Sequence, residues 1–300
     1  MSSADTLHYE FVQAGALRFE VATAGDPASS KLALLLHGFP ECAFSWRQQI
    51  PFLAARGYRV WAPNQRGYGN SPMPRGVASY RIEELVSDVA QLIDAAGARE
   101  VHLAGHDWGA MVAWEFALRR ARPLARLAIF NVPHPARFRE ELRHNKTQRR
   151  RSRYAAFFQL PWLPEWMLRR RGGALVDEAF RGMAIDKARF PDDVLAVYRA
   201  NVLRPGGATA MLNWYRAAGR SFGAASPETP QIDVPTLMVW GEEDSALGKE
   251  LTLGTERYVK DLTLRYLPRV SHWVQQEAPE RVNEIWGAWL EGREVPGNRE

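Results

Sequence analysis

Three residues with side chains that can do chemistry each follow a short apolar run: Asp107, Asp244 and His272. Asp107 lies in the frame Gly105-His106-Asp107-Trp108-Gly109, in which two glycines permit a sharp turn and leave the middle side chain exposed. A carboxylate there is ionised at neutral pH and can displace a leaving group from saturated carbon, forming an ester. The three residues follow the chain order of a nucleophile, an acid and a histidine.

Each of these residues also has an ordinary explanation when it is taken alone. Asp107 and Asp244 could cap helices, which is common for aspartate, and His272 could be a satisfied loop histidine. A joint coincidence at three strand ends is much less expected. We therefore interpret the three as one site.

Strands and helices that could position these residues alternate along the chain. Short apolar runs predict strands, and apolar residues spaced three and four apart predict helices. This alternation predicts a mostly parallel, doubly wound sheet in which the loops after the strands meet at one edge, with an antiparallel hairpin at the start of the chain. The predicted strands are residues 9–13, Leu17–Ala24, 32–36, 57–62, 101–104, 127–130, 235–240 and Leu262–Leu267, and the predicted helices are residues 44–56, Ile82–Ala96, 111–118 and Pro279–Leu290.

The chain changes character after residue 131. From there to about Pro230 it carries arginine-rich helical stretches, broken by prolines and glycines, with no clear strand. This pattern indicates a helical insertion. We expect a core domain made of residues 1–134 and 231–300 and a helical cap domain made of residues 135–230.

The composition is that of a globular protein: 300 residues, 46% of them hydrophobic and 24% charged. The net charge of +5 accompanies no nucleic-acid motif, so we expect no nucleic-acid partner. The single cysteine, Cys42, excludes an internal disulfide and is compatible with a reducing compartment. The first ten residues lack an apolar signal core and no run approaches the ~20 residues of a membrane span, so we expect a cytoplasmic enzyme, monomeric or homodimeric.

Several segments match, in order, the motifs of one family. They are His37-Gly38-Phe39-Pro40, the Gly105 to Gly109 frame, Tyr154, Asn213-Trp214-Tyr215, Asp244 and His272. Because of these segments, the chain resembles the α/β-hydrolases, and specifically the epoxide hydrolases. The resemblance extends over almost its whole length. The resemblance implies an α/β-hydrolase fold with an inserted helical cap and hydrolysis of epoxides to vicinal diols, without a metal or an organic cofactor.

The resemblance also implies how the site residues divide a two-step reaction. Asp107 would open the epoxide and form an ester, and His272, oriented by Asp244, would remove a proton from the water that hydrolyses this ester. The backbone N–H groups of Phe39 and Trp108 would hold the oxyanion, a contribution of roughly 3 kcal/mol per donor.

Two tyrosines match the family's proton donors in the cap: Tyr154 and Tyr215. Opening an epoxide develops negative charge on an oxygen that stays in the product, and tyrosine, neutral at pH 7 with a pKa of about 10, can supply the proton. Other side chains could contact a small hydrophobic epoxide or could equally be packing residues. These candidates are His37, Pro40, Phe157, Trp162 and Trp214, and Phe222 is a further aromatic residue of such a cavity.

Two alternatives remain open at the level of sequence. A haloalkane dehalogenase would share the aspartate nucleophile, and Trp108 could donate an N–H to the halide, although Phe39 replaces the polar residue that usually follows the His-Gly pair. A non-catalytic member of the fold could bind a small hydrophobic ligand. The presence of the three strand-end residues and both tyrosines favours an enzyme.

Overall fold

One sheet of eight strands carries the fold in the computed structural model, which describes residues 7–221 and 229–297. The strands are β1 (His8–Ala14), β2 (Leu17–Ala24), β3 (Lys31–Leu36), β4 (Arg59–Pro63), β5 (Glu100–His106), β6 (Arg126–Phe130), β7 (Thr236–Gly241) and β8 (Leu262–Leu267). Their order across the sheet is β1-β2-β4-β3-β5-β6-β7-β8. The β1–β2 and β2–β4 pairs are antiparallel and the other neighbouring pairs are parallel, which confirms the predicted sheet and its opening hairpin.

The central strand β3 is apolar and buried from Leu32 to Leu36 because the sheet is covered on both faces. Leu34 packs into the cluster that contains Leu85 and Trp114, whereas its neighbour Leu35 packs into the cluster of Ile50 on the other face. Successive side chains of a strand point to opposite faces, so one short run of leucines supplies both cores.

The helices around the sheet are α1 (Gln49–Ala54), α2 (Ile82–Ala96), α3 (Trp108–Leu118), α11 (Val274–Glu277) and α12 (Pro279–Leu290). The predicted bounds of α2 and α12 are confirmed. The prediction of one helix over residues 44–56 is wrong: a 3₁₀ helix, Ala43–Trp46, precedes the shorter α1. Pro51 lies in the first turn of α1, where its missing N–H is harmless, but in the interior of a longer helix it would break the hydrogen-bond ladder.

Seven α-helices and no strand lie between β6 and β7 in the part of this segment that the structure describes, as the sequence predicted. They are α4 (Pro135–His144), α5 (Lys146–Arg151), α6 (Arg153–Phe157), α7 (Leu163–Arg169), α8 (Ala174–Met183), α9 (Asp192–Leu203) and α10 (Gly207–Ser221). Within residues 7–221 and 229–297, none of the helices is both long and apolar enough to cross a membrane.

Candidate active site

Asp107 occupies a strained turn between β5 and α3. Its backbone angles, φ 47° and ψ −123°, lie in a region that L-residues rarely adopt and that costs roughly 1–3 kcal/mol. The flanking glycines permit the turn: a Cβ on Gly105 would overlap the backbone of Gly109, and a Cβ on Gly109 would overlap the carbonyl of Leu36. The tight turn thus holds the Asp107 carboxylate in a fixed position at the edge of the sheet.

The loop after β3 meets the carboxylate of Asp107 with a backbone donor. The N–H of Phe39 donates to Oδ1 of Asp107 at 2.7 Å. A Cβ at Gly38 would overlap the Asp107 side chain, so only glycine allows this approach. Trp108 is the first residue of α3, where backbone N–H groups have no partner within the helix. Both residues proposed as oxyanion donors therefore flank the aspartate.

The histidine lies between two carboxylates. Nδ1 of His272 is 2.6 Å from Oδ2 of Asp244, and Nε2 is 3.5 Å from Oδ2 of Asp107. The other oxygen of Asp244 accepts the backbone N–H groups of Ala246 and Leu247, each at 2.8 Å. The three residues predicted from separate strand ends thus meet at one edge of the sheet.

Electrostatics favour a charged pair in this arrangement. Burial opposes the charge of His272, but the carboxylates of Asp244 and Asp107 outweigh it and raise the pKa of His272 to about 10. Burial also opposes the charge of Asp107, yet hydrogen bonding to His272 and to the Phe39 N–H holds the pKa of Asp107 below its ordinary value. In the resting protein at neutral pH, Asp107 is ionised and His272 is protonated.

A residue that was not predicted from the sequence orients the acid. Asn131, which follows β6 with φ 47°, donates from Nδ2 to Oδ2 of Asp244 at 2.8 Å and accepts the N–H of Gly241 at 2.8 Å. The signal was its position at the end of a predicted buried strand, like the other site residues. The asparagine bonds to the same Asp244 oxygen as His272 does.

Glu41, also not predicted from the sequence, is fully buried and follows residues 37–40, which we call the oxyanion loop after their expected role. Its Oε2 accepts the N–H of Gly38 at 2.7 Å and lies 2.8 Å from Nδ1 of His106. Nε2 of His106 lies 2.8 Å from the carbonyl oxygen of His272. Burial opposes the charge of Glu41, but His106 lowers the pKa of this carboxyl below its ordinary value. The residue connects the oxyanion loop with the loop of the catalytic histidine candidate.

The two cap tyrosines lie over the nucleophile candidate. The ring centroid of Tyr215 is 5.3 Å from that of Phe39 and 4.9 Å from that of Trp108, the two residues that flank the carboxylate. Tyr154 lies 6.0 Å from Tyr215. Phe158, not singled out from the sequence as a contact residue, packs against Tyr215 at 4.9 Å and completes an aromatic wall.

Both tyrosine hydroxyls are held in their neutral form. Although 38% of Tyr154 is exposed, its hydroxyl is buried, and this burial and the charges of Asp107 and Asp244 raise its pKa above the ordinary value. Burial, with Tyr154 and Asp107, raises the pKa of Tyr215 well above 10, although a hydrogen bond with the Trp108 side chain acts against the rise. Each hydroxyl can therefore donate a proton near neutral pH.

Two candidate contact residues, His37 and Pro40, support the oxyanion loop from within. His37 is fully buried; its Nε2 accepts the N–H of Gln65 at 3.2 Å and its Nδ1 lies 2.9 Å from the carbonyl of Gly38. Burial lowers the pKa of His37 to about 4, so the ring is neutral. Pro40 is also buried and follows a cis peptide bond with Phe39.

The three described aromatic candidates in the cap differ in their surroundings. Trp214 is 1% exposed and donates to the carbonyl of Arg66 at 3.2 Å, so it joins the cap to the core. Phe157 is half-buried and lies 6.0 Å from Phe158 in the aromatic wall. Trp162 is 74% exposed, and the structure does not bring it to the site. Phe222 lies outside the described residues.

The chain is similar to known proteins over most of its length. The family model described as the α/β hydrolase fold matches residues 33–279. The AB hydrolase superfamily protein YfhM of Bacillus subtilis is 38% identical over 94% of this chain and 97% of its own length. Epoxide hydrolase 2 of Caenorhabditis elegans is 35% identical over 92% of this chain and 78% of its own length.

A solved structure is similar over the same extent. The crystal structure of an epoxide hydrolase from Bacillus megaterium in complex with an inhibitor superposes with a TM-score of 0.86. The sequence identity is 29%, and the match covers 94% of this chain and 100% of the other.

Proposed function

The chain belongs to the α/β-hydrolase fold family and, within it, to the epoxide hydrolases, and from this premise we propose that it hydrolyses epoxides to vicinal diols through an ester on Asp107. The observation that carries the proposal is the position of Tyr154 and Tyr215. Two neutral hydroxyls in the cap face a nucleophile that is already ionised, as opening an epoxide requires.

In the first step, a carboxylate oxygen of Asp107 attacks one carbon of the epoxide. The bond between that carbon and the epoxide oxygen breaks, and its electron pair goes to the oxygen. A hydroxyl of Tyr154 or Tyr215 gives its proton to this oxygen, which becomes the hydroxyl of an ester intermediate. The fixed turn at Asp107 supports this step because the nucleophile needs no reorganisation before it attacks.

In the second step, water attacks the carbonyl carbon of the ester and His272 takes the proton of this water. Ester formation removes the negative charge of Asp107, one of the two carboxylates that raise the pKa of His272. The histidine therefore loses its proton more readily once the ester has formed, and this proton restores the tyrosinate to tyrosine. The neutral His272 then takes one proton of the attacking water, and the N–H groups of Phe39 and Trp108 hold the resulting oxyanion. Collapse of the intermediate breaks the bond between the carbonyl carbon and the alkoxide oxygen. The alkoxide takes the second proton of the water and leaves as the diol, so that Asp107 is again ionised and His272 again protonated.

We also assign residues 135–230 to a cap domain over a core of residues 1–134 and 231–300. Hydrogen bonds from side chains of α9 and α10 to core residues support the position of this cap on the core. Tyr198 of α9 donates to Oε1 of Gln276 at 2.5 Å, and Trp214 of α10 donates to Arg66. A small hydrophobic epoxide would bind between the two units, against Tyr215 and Phe158.

A halide is a less suitable leaving group at this site. A dehalogenase needs free N–H donors for the halide, and the sequence offered Trp108 for this role. The Trp108 ring packs edge-on against the ring of Tyr215, with the centroids 4.9 Å apart. The donors beside the nucleophile thus include tyrosine hydroxyl groups, which supply a proton that an alkoxide needs and a chloride does not.

A substrate panel tests the proposal. Purified protein is incubated with styrene oxide, an aliphatic epoxide and 1-chlorobutane, and diol and chloride are measured. We expect diol from an epoxide and no chloride, and we expect the Y154F/Y215F double variant to lose diol formation. Y258F is the matched control, since Tyr258 packs on His134 away from the site. Chloride release, or full activity of the double variant, would refute the assignment.

A further inference from the structure

One short segment of the cap holds an unusual share of the exposed apolar surface. Four of the nine large hydrophobic side chains exposed among the described residues lie within residues 160–167. Trp162 is 74% exposed and Trp166 is 54% exposed. They stand one helical turn apart at the start of α7, on the same face. The remaining two members are Leu160 and Met167, and we call the four residues the aromatic edge.

Positive charge adjoins the aromatic edge. Residues 169–171 are three exposed arginines that begin two residues after Met167, and the guanidinium of Arg170 lies 5.0 Å from the ring centroid of Trp166. None of the three forms an ion pair with any residue in the described ranges. The one acid of this segment, Glu165, is already paired with Arg216 at 2.6 Å. The segment therefore presents apolar rings beside three unneutralised positive charges.

We propose that this segment docks on the surface of an anionic lipid bilayer. Tryptophan, leucine and methionine side chains enter the boundary between headgroups and acyl chains, and adjacent arginines pair with lipid phosphates. Charge complementarity decides between this occupant and a second copy of the chain. A symmetric contact of two aromatic edges would place six arginines near one another, and their positive charges would repel with no anion between them.

The backbone supports the same orientation. Trp162 has φ 51°, a conformation that bulky residues adopt rarely, and in it the Trp162 side chain is directed into solvent. Pro164 and Leu168, on the opposite side of α7, are buried in the cap. The helix is thus anchored by one face while the face with Trp162 and Trp166 is exposed.

Vesicle flotation tests the proposal with the whole protein. Vesicles of phosphatidylcholine alone are compared with vesicles that also contain phosphatidylglycerol, at low and high salt. We expect binding only to the anionic vesicles, and weaker binding at high salt because exposed charges are screened. Each arginine near such a surface contributes roughly fivefold to partitioning, so R169Q/R170Q/R171Q should weaken binding by on the order of 100-fold.

The W162N/W166Q variant should also lose binding, and asparagine tolerates the positive φ of residue 162. L253Q is the matched control, because Leu253 is 61% exposed but lies outside the segment. Thermal unfolding of each variant verifies that it is folded. Absence of binding to anionic vesicles, or binding that both variants retain, would overturn the proposal. The proposal would also be overturned if the parent protein bound no lipid and instead formed a dimer that dissociates in W162N/W166Q.

Discussion

Nδ1 of His272 lies 2.6 Å from Oδ2 of Asp244, while the opposite ring nitrogen faces Asp107 across 3.5 Å. One nitrogen is therefore bound to a carboxylate that has no access to substrate, and the other is directed at the nucleophile. The short contact fixes the ring, and the longer one directs Nε2 at the carboxyl group whose proposed ester it would help to hydrolyse.

Replacing His272 should separate the two steps of the reaction. In H272Q the epoxide can still alkylate Asp107, but no base activates water, so turnover should fall by roughly 10²–10⁴-fold. Intact-protein mass spectrometry after mixing with an epoxide should show the protein plus one substrate. A variant that turns over at the normal rate, or that never gains the substrate mass, would contradict the role of His272.

The raised pKa of His272 predicts how stability depends on pH. Folding raises this pKa from 6.5 to about 10, so the proton stabilises the native state fully below pH 6.5 and this contribution is lost as the pH rises through 10. The free energy of unfolding of the parent protein should thus fall relative to that of H272Q over this interval. Urea unfolding of both proteins across the interval measures the difference, and parallel pH profiles would be inconsistent with it.

Asn131 should contribute to stability through its side chain rather than its backbone. N131G keeps the positive φ but removes three side-chain hydrogen bonds, one of them to the Asp244 carboxylate, and should lower the free energy of unfolding by about 1.5–3 kcal/mol. Arg120, also at a positive φ of 49° but exposed, supplies the control R120G, which should change stability by less than about 0.5 kcal/mol. Equal effects in urea unfolding would assign the Asn131 effect to the backbone.

Glu277 should couple the cap to the histidine loop. Its Oε1 accepts the N–H groups of Ile185 at 2.9 Å and Asp186 at 2.8 Å, and its Oε2 accepts the N–H of Ser271 at 3.0 Å. E277Q turns one oxygen into a donor and leaves buried N–H groups without an acceptor, a loss of about 1–3 kcal/mol in unfolding free energy.

Glu280 provides the comparison for that variant. It pairs with Arg189 at 3.0 Å on the surface, where an ion pair contributes about 0–1 kcal/mol, so E280Q should be nearly neutral. If E277Q were as stable as E280Q, the three N–H contacts that Glu277 accepts would have no part in holding the loop.

The sequence predicted those parts of the site that depend on local pattern. The two glycines around Asp107 predict a sharp turn, and apolar runs place Asp244 and His272 at the same edge of a parallel sheet. The sheet, the opening hairpin and the helical insertion follow from the same periodicity. Their common cause is that strand ends in a parallel sheet are set by local hydrophobicity.

The rest depends on contacts between distant segments. Glu41 has no pattern of its own, and Asn131 shares only its position at a strand end, because each acts through a partner more than 60 residues away along the chain. Trp162 and Trp214 look alike in sequence, yet one is exposed and the other is buried against the core. Only the packing of the cap on the sheet separates a tryptophan that holds the fold from one that faces solvent.

The most direct test of the covalent mechanism traces the oxygen atom of the attacking water into its product. Excess protein is allowed one turnover of an epoxide in ¹⁸O-labelled water, and the diol and the peptide that contains Asp107 are analysed by mass spectrometry. Hydrolysis of an Asp107 ester places the label in the carboxyl group of Asp107 and leaves the first diol unlabelled. Label in the first diol with none in Asp107 would show that water attacks the epoxide directly.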